Sequence, residues 1–139
     1  MEEILHRAEL LENDYDWLEA IKLYELAMSL LSHDDLPKIA DIRERLGYAS
    51  YRAAFQTESN NEFTERMRQA IAIYEKAKET CEKLTIPDRT PKTLRNSAMI
   101  ALLNYWLAPE VSEKKRLLNE SWTQTKEALE IFDKTTRAW

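Results

Sequence analysis

The chain has 139 residues, 44% of them hydrophobic and 32% charged, with a net charge of -5; this is the balance of a folded soluble domain rather than a disordered segment. It holds one glycine, four prolines and one cysteine. So little glycine excludes turn-rich all-β folds and glycine-rich phosphate loops, the acidity opposes nucleic-acid binding, and a lone cysteine excludes an internal disulfide.

Punctuation by proline and by Asn/Asp/Ser clusters divides the chain into six expected helices. The first, over about 2–13, is acidic and lacks the basic opening of a signal peptide. "NDYD" (Asn13 to Asp16) is a turn, and Asp16 with Glu19 reads as a capping box opening a helix over about 16–33. Its apolar stripe is Trp17, Ala20, Tyr24, Ala27, Leu31. Asp34 or Asp35 then caps a helix over about 36–57, with stripe Ile39, Ile42, Leu46, Ala49, Ala53. After "TESNNE" comes a helix over about 61–84. Its stripe of Phe63, Met67, Ala70, Tyr74, Ala77, Cys81 and Leu84 alternates steps of four and three. "TIPDRTP" predicts Thr90 as N-cap and Pro91 as the first residue of a helix over about 91–108, with stripe Leu94, Ala98, Ala101, Tyr105. Pro109 separates it from a last helix over about 110–136, expected to bury Leu118, Trp122, Thr125, Leu129 and Phe132.

The longest apolar run, Ala98 to Ala108, is broken by Asn104 and is too short to cross a bilayer. No membrane partner is therefore expected. A lone cysteine and the absence of a signal peptide make the cytoplasm the expected location.

Three of these helices repeat one ten-residue pattern. "EAIKLYELAM" (Glu19 to Met28), "QAIAIYEKAK" (Gln69 to Lys78) and "EALEIFDKTT" (Glu127 to Thr136) each place alanine and then an aromatic ring four residues on. In the first two a second alanine follows three residues later, at Ala27 and Ala77; Thr135 takes its place in the third. The result is a small–large–small ridge along one helix face. One helix pair cannot cover such a ridge, and stacked pairs can.

The first two stretches resemble the second-helix signature of the tetratricopeptide repeat (TPR). That family's unit is an antiparallel pair of helices, A and B. Ile4, Ala8 and Leu11 match its A helix, with Arg7 departing where an apolar residue is usual. Leu46-Gly47 resembles its Leu-Gly pair, although about eleven extra residues precede Ala70. The third unit matches loosely, through Leu94 and Ala98. The resemblance implies an all-α fold: a right-handed array of three antiparallel helix pairs, six helices forming a TPR-like superhelix. The whole chain is expected to be one such domain, with units of about 1–34, 35–85 and 90–137.

The resemblance further implies a non-enzymatic scaffold whose A helices line a concave groove for a peptide or helix of a partner protein. Carried onto this chain, the lining candidates are Glu2, Leu5, Glu9 and Glu12 in the first unit, Asp41, Glu44, Tyr48 and Arg52 in the second, and Arg95 and Met99 in the third. The lysine–asparagine clamp by which some members grip a C-terminal carboxylate is absent, since Leu5 and Glu9 hold those places. Residues 1–34 carry nine acidic and two basic side chains, a net of -7, against +2 for the rest. An acidic groove with Tyr48 suits a basic or basic-amphipathic segment, while the plainer reading is a solvated acidic face.

No enzyme, metal or cofactor is expected. His6 and His33 have no partners at ligand spacing, and Cys81 lies on a buried stripe with no histidine nearby. The alternative to a scaffold is a structural domain that self-associates into a homo-oligomer. Trp139, ending "KTTRAW", could cap the last pair or enter a neighbouring copy, and Lys114-Lys115-Arg116 lies far from the acidic first unit.

Overall fold

A computed structural model of the chain describes residues 1–85, 87 and 89–137, with side chains described as far as Lys134. Its six helices are α1 (Glu2–Asn13), α2 (Trp17–Leu30), α3 (Leu36–Ala54), α4 (Asn60–Glu82), α5 (Arg89–Leu107) and α6 (Val111–Arg137), and no strand occurs among the described residues. Thr135 lies in α6 with its side chain outside the described set, as does all of Trp139, so the expectations placed on them lie there too.

The boundaries follow local chemistry. α1 closes in a Schellman motif: the Asp16 N–H donates to the Leu11 carbonyl at 2.8 Å and the Tyr15 N–H to that of Glu12 at 3.0 Å. This needs a left-handed residue, and Tyr15 supplies it at φ 60°. Asp16 occupies the α2 N-cap without a side-chain bond, so the expected capping box does not form. Asp35 does cap α3, accepting from the Lys38 N–H at 3.4 Å. Ser59, a cap not foreseen, accepts from the Glu62 N–H at 3.1 Å and opens α4. α5 begins at Arg89 rather than at Pro91. Pro91 is still in the first turn, where a missing N–H breaks no bond within the helix.

Each helix packs extensively only on its neighbours in the chain. Cross-helix contacts give the directions. Asp41–Lys92, Glu44–Arg95 and Phe55–Trp106 join α3 to α5, and every pair is 51 residues apart (41 to 92, 44 to 95, 55 to 106). Glu2–Lys38 and Glu9–Arg45 join α1 to α3, both 36 apart (2 to 38, 9 to 45). A constant offset over several turns is the mark of parallel helices. The odd-numbered helices thus run parallel to one another. Between α5 and α6 the register runs the opposite way: Ser121 Oγ donates to the Ala98 carbonyl at 2.7 Å, and Lys114 Nζ to that of Tyr105 at 2.8 Å.

The repeated ridge is the core. Ala20, Tyr24 and Ala27 pack with Ala8 of α1 and Ile42, Ala49 and Ala53 of α3. Met67, Ala70 and Tyr74 pack with Ala54 of α3 and Leu103 of α5. Met67 and Leu103 are fully buried, and each contributes about 1.5–3 kcal/mol by burial. Gly47 earns its place here: a Cβ on it would stand 3.0 Å from Cδ2 and Cε2 of the Tyr74 ring. The ring therefore lies directly on the α3 backbone.

The last helix departs from its expected orientation. α6 buries Leu117, Ser121 and Ala128, while Leu118, Trp122 and Leu129 are 47%, 67% and 63% exposed. Small residues decide the rotation. Ser121 lets α6 approach Ala98 of α5, its hydroxyl bonding the α5 backbone; Leu117 packs in a cluster with Ala101, and Ala128 is buried further along the same side. Large apolar side chains at 118, 122 and 129 would hold the helices further apart.

Candidate functional site

The odd-numbered helices share a face, and most of the expected lining residues lie on or beside it. A hollow of about 310 Å³ is lined by Glu12, Glu44, Arg45, Tyr48, Tyr74, Arg95, Asn96 and Met99. Five of the ten sequence candidates meet there: Glu12, Glu44, Tyr48, Arg95 and Met99. Arg45, Tyr74 and Asn96 were not among the candidates. Arg45 and Asn96 each follow a candidate by one residue, and a helix of 3.6 residues per turn brings such neighbours to the same rim. A roomier hollow of about 750 Å³ runs along α4 alone, lined by residues such as Thr64, Arg68 and Ala72. With no second helix to form a wall, it is open helix surface.

The other five candidates have different places. Glu2 pairs with Lys38 at 3.6 Å and Glu9 with Arg45 at 2.9 Å, bridging α1 to α3. Asp41 pairs with Lys92 at 3.7 Å. Leu5 is half-buried against the first core cluster. Arg52 lies over the Trp17 ring at 5.0 Å and donates to the Tyr48 hydroxyl at 3.0 Å.

No family model, curated protein or solved structure matches the chain. The site is therefore read from its own geometry.

Its carboxylates are engaged. Glu44 is bound by Arg95 at 2.6 Å through one oxygen and by Asn96 Nδ2 at 2.8 Å through the other. Glu12 accepts the Tyr24 hydroxyl at 2.6 Å. Burial, then the bond to Glu12, raises the Tyr24 phenol well above its usual range. Burial, then the Glu44 charge, does the same for Tyr74. Glu2, Glu9, Asp41 and Glu44 thus each meet a cation of the next odd helix, while Glu12 is held by the neutral Tyr24 hydroxyl of α2.

Beneath Glu44 lies Cys81, fully buried, with Asn96 Nδ2 at 3.4 Å from its sulfur. Burial, then Glu44, pushes its thiol up to about 12. A protonated, enclosed thiol is a poor nucleophile at neutral pH. Among the described residues no group of three or more His, Cys, Asp or Glu side chains stands where it could hold a metal ion, and no helix is long and apolar enough to cross a membrane.

At the C-terminal end of α3 the same face becomes aromatic. Trp17, Tyr48, Tyr51, Phe55 and Trp106 form a lane in which successive ring centroids lie 5.1–6.3 Å apart. Tyr48, Phe55 and Trp106 are 38–46% exposed. Trp106 Nε1 donates to the Tyr51 hydroxyl at 3.2 Å, which fixes the lane across α3 and α5. From the Asp41–Lys92 pair to Trp106 this face spans fourteen residue steps, from Asp41 to Phe55 at the C-cap of α3, roughly 21 Å at 1.5 Å per residue.

Proposed function

We propose that the chain is a non-enzymatic protein-interaction module of the TPR-like kind, receiving a peptide or helix of a partner on the face shared by α1, α3 and α5. The observation that carries this reading is the aromatic lane, exposed at Tyr48, Phe55 and Trp106 and continuous with the hollow at Glu44, Tyr48 and Met99. Half-exposed, mutually braced rings give a large contact area at small entropic cost, as binding hot spots do. Because Glu9, Asp41 and Glu44 already hold cations, the proposed partner is a segment with apolar or aromatic anchors. A basic segment is the lesser fit.

The test is selection of peptides from a random displayed library on the folded protein, with counter-selection on Tyr48→Ala/Phe55→Ser. Both side chains are partly exposed, and circular dichroism checks that the variant folds. Peptides with apolar anchors that bind the wild type and lose at least ten-fold on the variant support the reading. Peptides that bind both proteins equally, or that are uniformly basic, overturn it.

A second reading, a self-associating helical domain, is favoured by one separate observation: the exposed apolar stripe on α6.

A further inference from the structure

The repeat explains why that stripe exists. The third position of each ten-residue copy is Ile21, Ile71 and Leu129. Ile21 is half-buried against a cluster that includes Ile42, Ala49 and Ala53 of α3, the helix after its own. Ile71 is half-buried against a cluster that includes Leu103 of α5, again the helix after its own. Leu129 is 63% exposed, and no helix follows α6 among the described residues. Val111, Leu118 and Trp122 extend its line, at spacings of seven, four and seven residues along one helix side. This is the surface on which an odd-numbered helix would sit.

The opposite end of the described series is also uncovered. Among the described residues no helix precedes α1. Its outer side, with α2, forms a hollow of about 410 Å³ lined by Arg7, Leu10, Leu11, Asp14, Glu19 and Leu23. Leu10, Leu26 and Leu30 are 45–58% exposed there or beside it. One end is thus a leucine hollow within the segment of net charge -7; the other is a projecting Trp122 flanked by the exposed Lys115 and Lys126.

We propose that two copies of this chain associate head to tail, the α1–α2 end of one seating on the α6 stripe of the next. α1 of the second copy takes the place that α3 takes on α2 and α5 takes on α4. Apolar surface meets apolar surface, and the acidic end meets the two lysines. Such a contact is heterologous, so it propagates into chains unless its geometry closes a ring. The inference rests on the self-association reading and is independent of the groove, since none of the residues it invokes lines the hollow at Tyr48.

Sedimentation of four samples tests it. The wild type is expected to grow in mass with concentration past the dimer and to shrink as salt is added. A tail-blocked variant, Trp122→Glu/Leu129→Glu, and a head-blocked variant, Leu10→Lys/Leu26→Lys, are each expected to stay monomeric. Mixed in equal amounts they retain one good head and one good tail, and the expected product is a single species of twice the monomer mass. All the substituted side chains are partly exposed, and circular dichroism checks that the variants fold. A wild type that stays monomeric overturns the proposal, as does a mixture that forms no dimer. A head-blocked variant that dimerises alone assigns the stripe to a two-fold α6–α6 contact instead. Failure on any of these counts leaves the peptide selection on the groove unaffected.

Discussion

The contact between Gly47 and Tyr74 gives the sharpest test of how the helix pairs interlock. Replacing Gly47 by alanine has two opposed effects. Mid-helix, alanine is better than glycine by about 0.8–1.0 kcal/mol. Against this, the new Cβ would lie 3.0 Å from two Tyr74 ring carbons and 3.1 Å from a third. Carbon atoms settle at about 3.5–4.0 Å, so ring or helix must give by roughly half an ångström or more. The ring is 4% exposed, and its cluster includes Met67, Ala70, Ala54 and Leu103, so retreat is obstructed. Overpacking of this kind costs about 1–3 kcal/mol. The expected net effect of Gly47→Ala is a loss of about 1 kcal/mol. With a urea slope of about 2 kcal/mol/M, the unfolding midpoint falls by roughly 0.5 M.

The sign should reverse when the ring is removed. Tyr74→Val ends at its Cγ atoms and lacks all three ring carbons. In that background Gly47→Ala is expected to raise the midpoint by roughly 0.4 M, its helix preference acting alone. The coupling between the two sites is then about 2 kcal/mol, well beyond the few tenths typical of independent sites. Urea titrations of the four proteins, followed by circular dichroism, measure it. If Gly47→Ala stabilises equally in both backgrounds, the ring does not rest on this glycine and the packing described is wrong.

Three further perturbations follow from single features. Tyr15 holds a left-handed conformation at the end of α1, so Tyr15→Gly is expected to stabilise by about 0.5–1 kcal/mol, read as a higher thermal midpoint. Glu44 holds both Arg95 and the buried Asn96, whereas the Glu9–Arg45 pair is exposed. Glu44→Ala should therefore cost about 2–3 kcal/mol and Glu9→Ala less than about 1 kcal/mol, compared by urea midpoints. The Cys81 thiol is raised from its ordinary value of 9.0 to about 12 in the fold. Its contribution to stability is therefore complete below pH 9 and is lost as the pH rises from 9 towards 12. The stability advantage of the wild type over Cys81→Ala should shrink across that window, and a constant difference would refute the burial of this group.

The even-numbered helices were the most legible part of the sequence. In α2 and α4 the alanine–aromatic–alanine spacing named the buried residues directly, because large and small side chains alternate on one face and nothing else competes for it. The last helix was misread for a physical reason. Periodicity finds the side with the largest apolar residues, but the neighbouring helix chose the side with Ser121 and Ala128, which lets the backbones come close. At the end of a series of helices the two sides need not coincide. Capping was legible only in part: of Asp34 and Asp35, both read as possible caps, Asp35 is the one, and Ser59 was not foreseen, although Ser59 and Glu62 have the spacing of a capping box.

Five of the ten candidate lining residues meet in the hollow, and their charges were less legible than their positions. Helical spacing put Glu9, Asp41 and Glu44 on one face, but an acidic residue read from a single helix carries no information about the cation a neighbouring helix brings to it. Here the partners are Arg45, Lys92 and Arg95, each on the next odd-numbered helix, 36 or 51 residues further along the chain (9 to 45, 41 to 92, 44 to 95). Those offsets are set by the lengths of the intervening helices, which no local pattern records. The consequence reaches function. Under the proposed binding role, a face most of whose acids hold the odd helices together has little net charge left for steering, so discrimination would come from shape and from Tyr48, Phe55 and Trp106. Binding to such a face should depend weakly on salt, whereas the head-to-tail contact, with its acidic end and its lysines, should depend on it strongly. Salt dependence alone therefore separates the two surfaces in one protein.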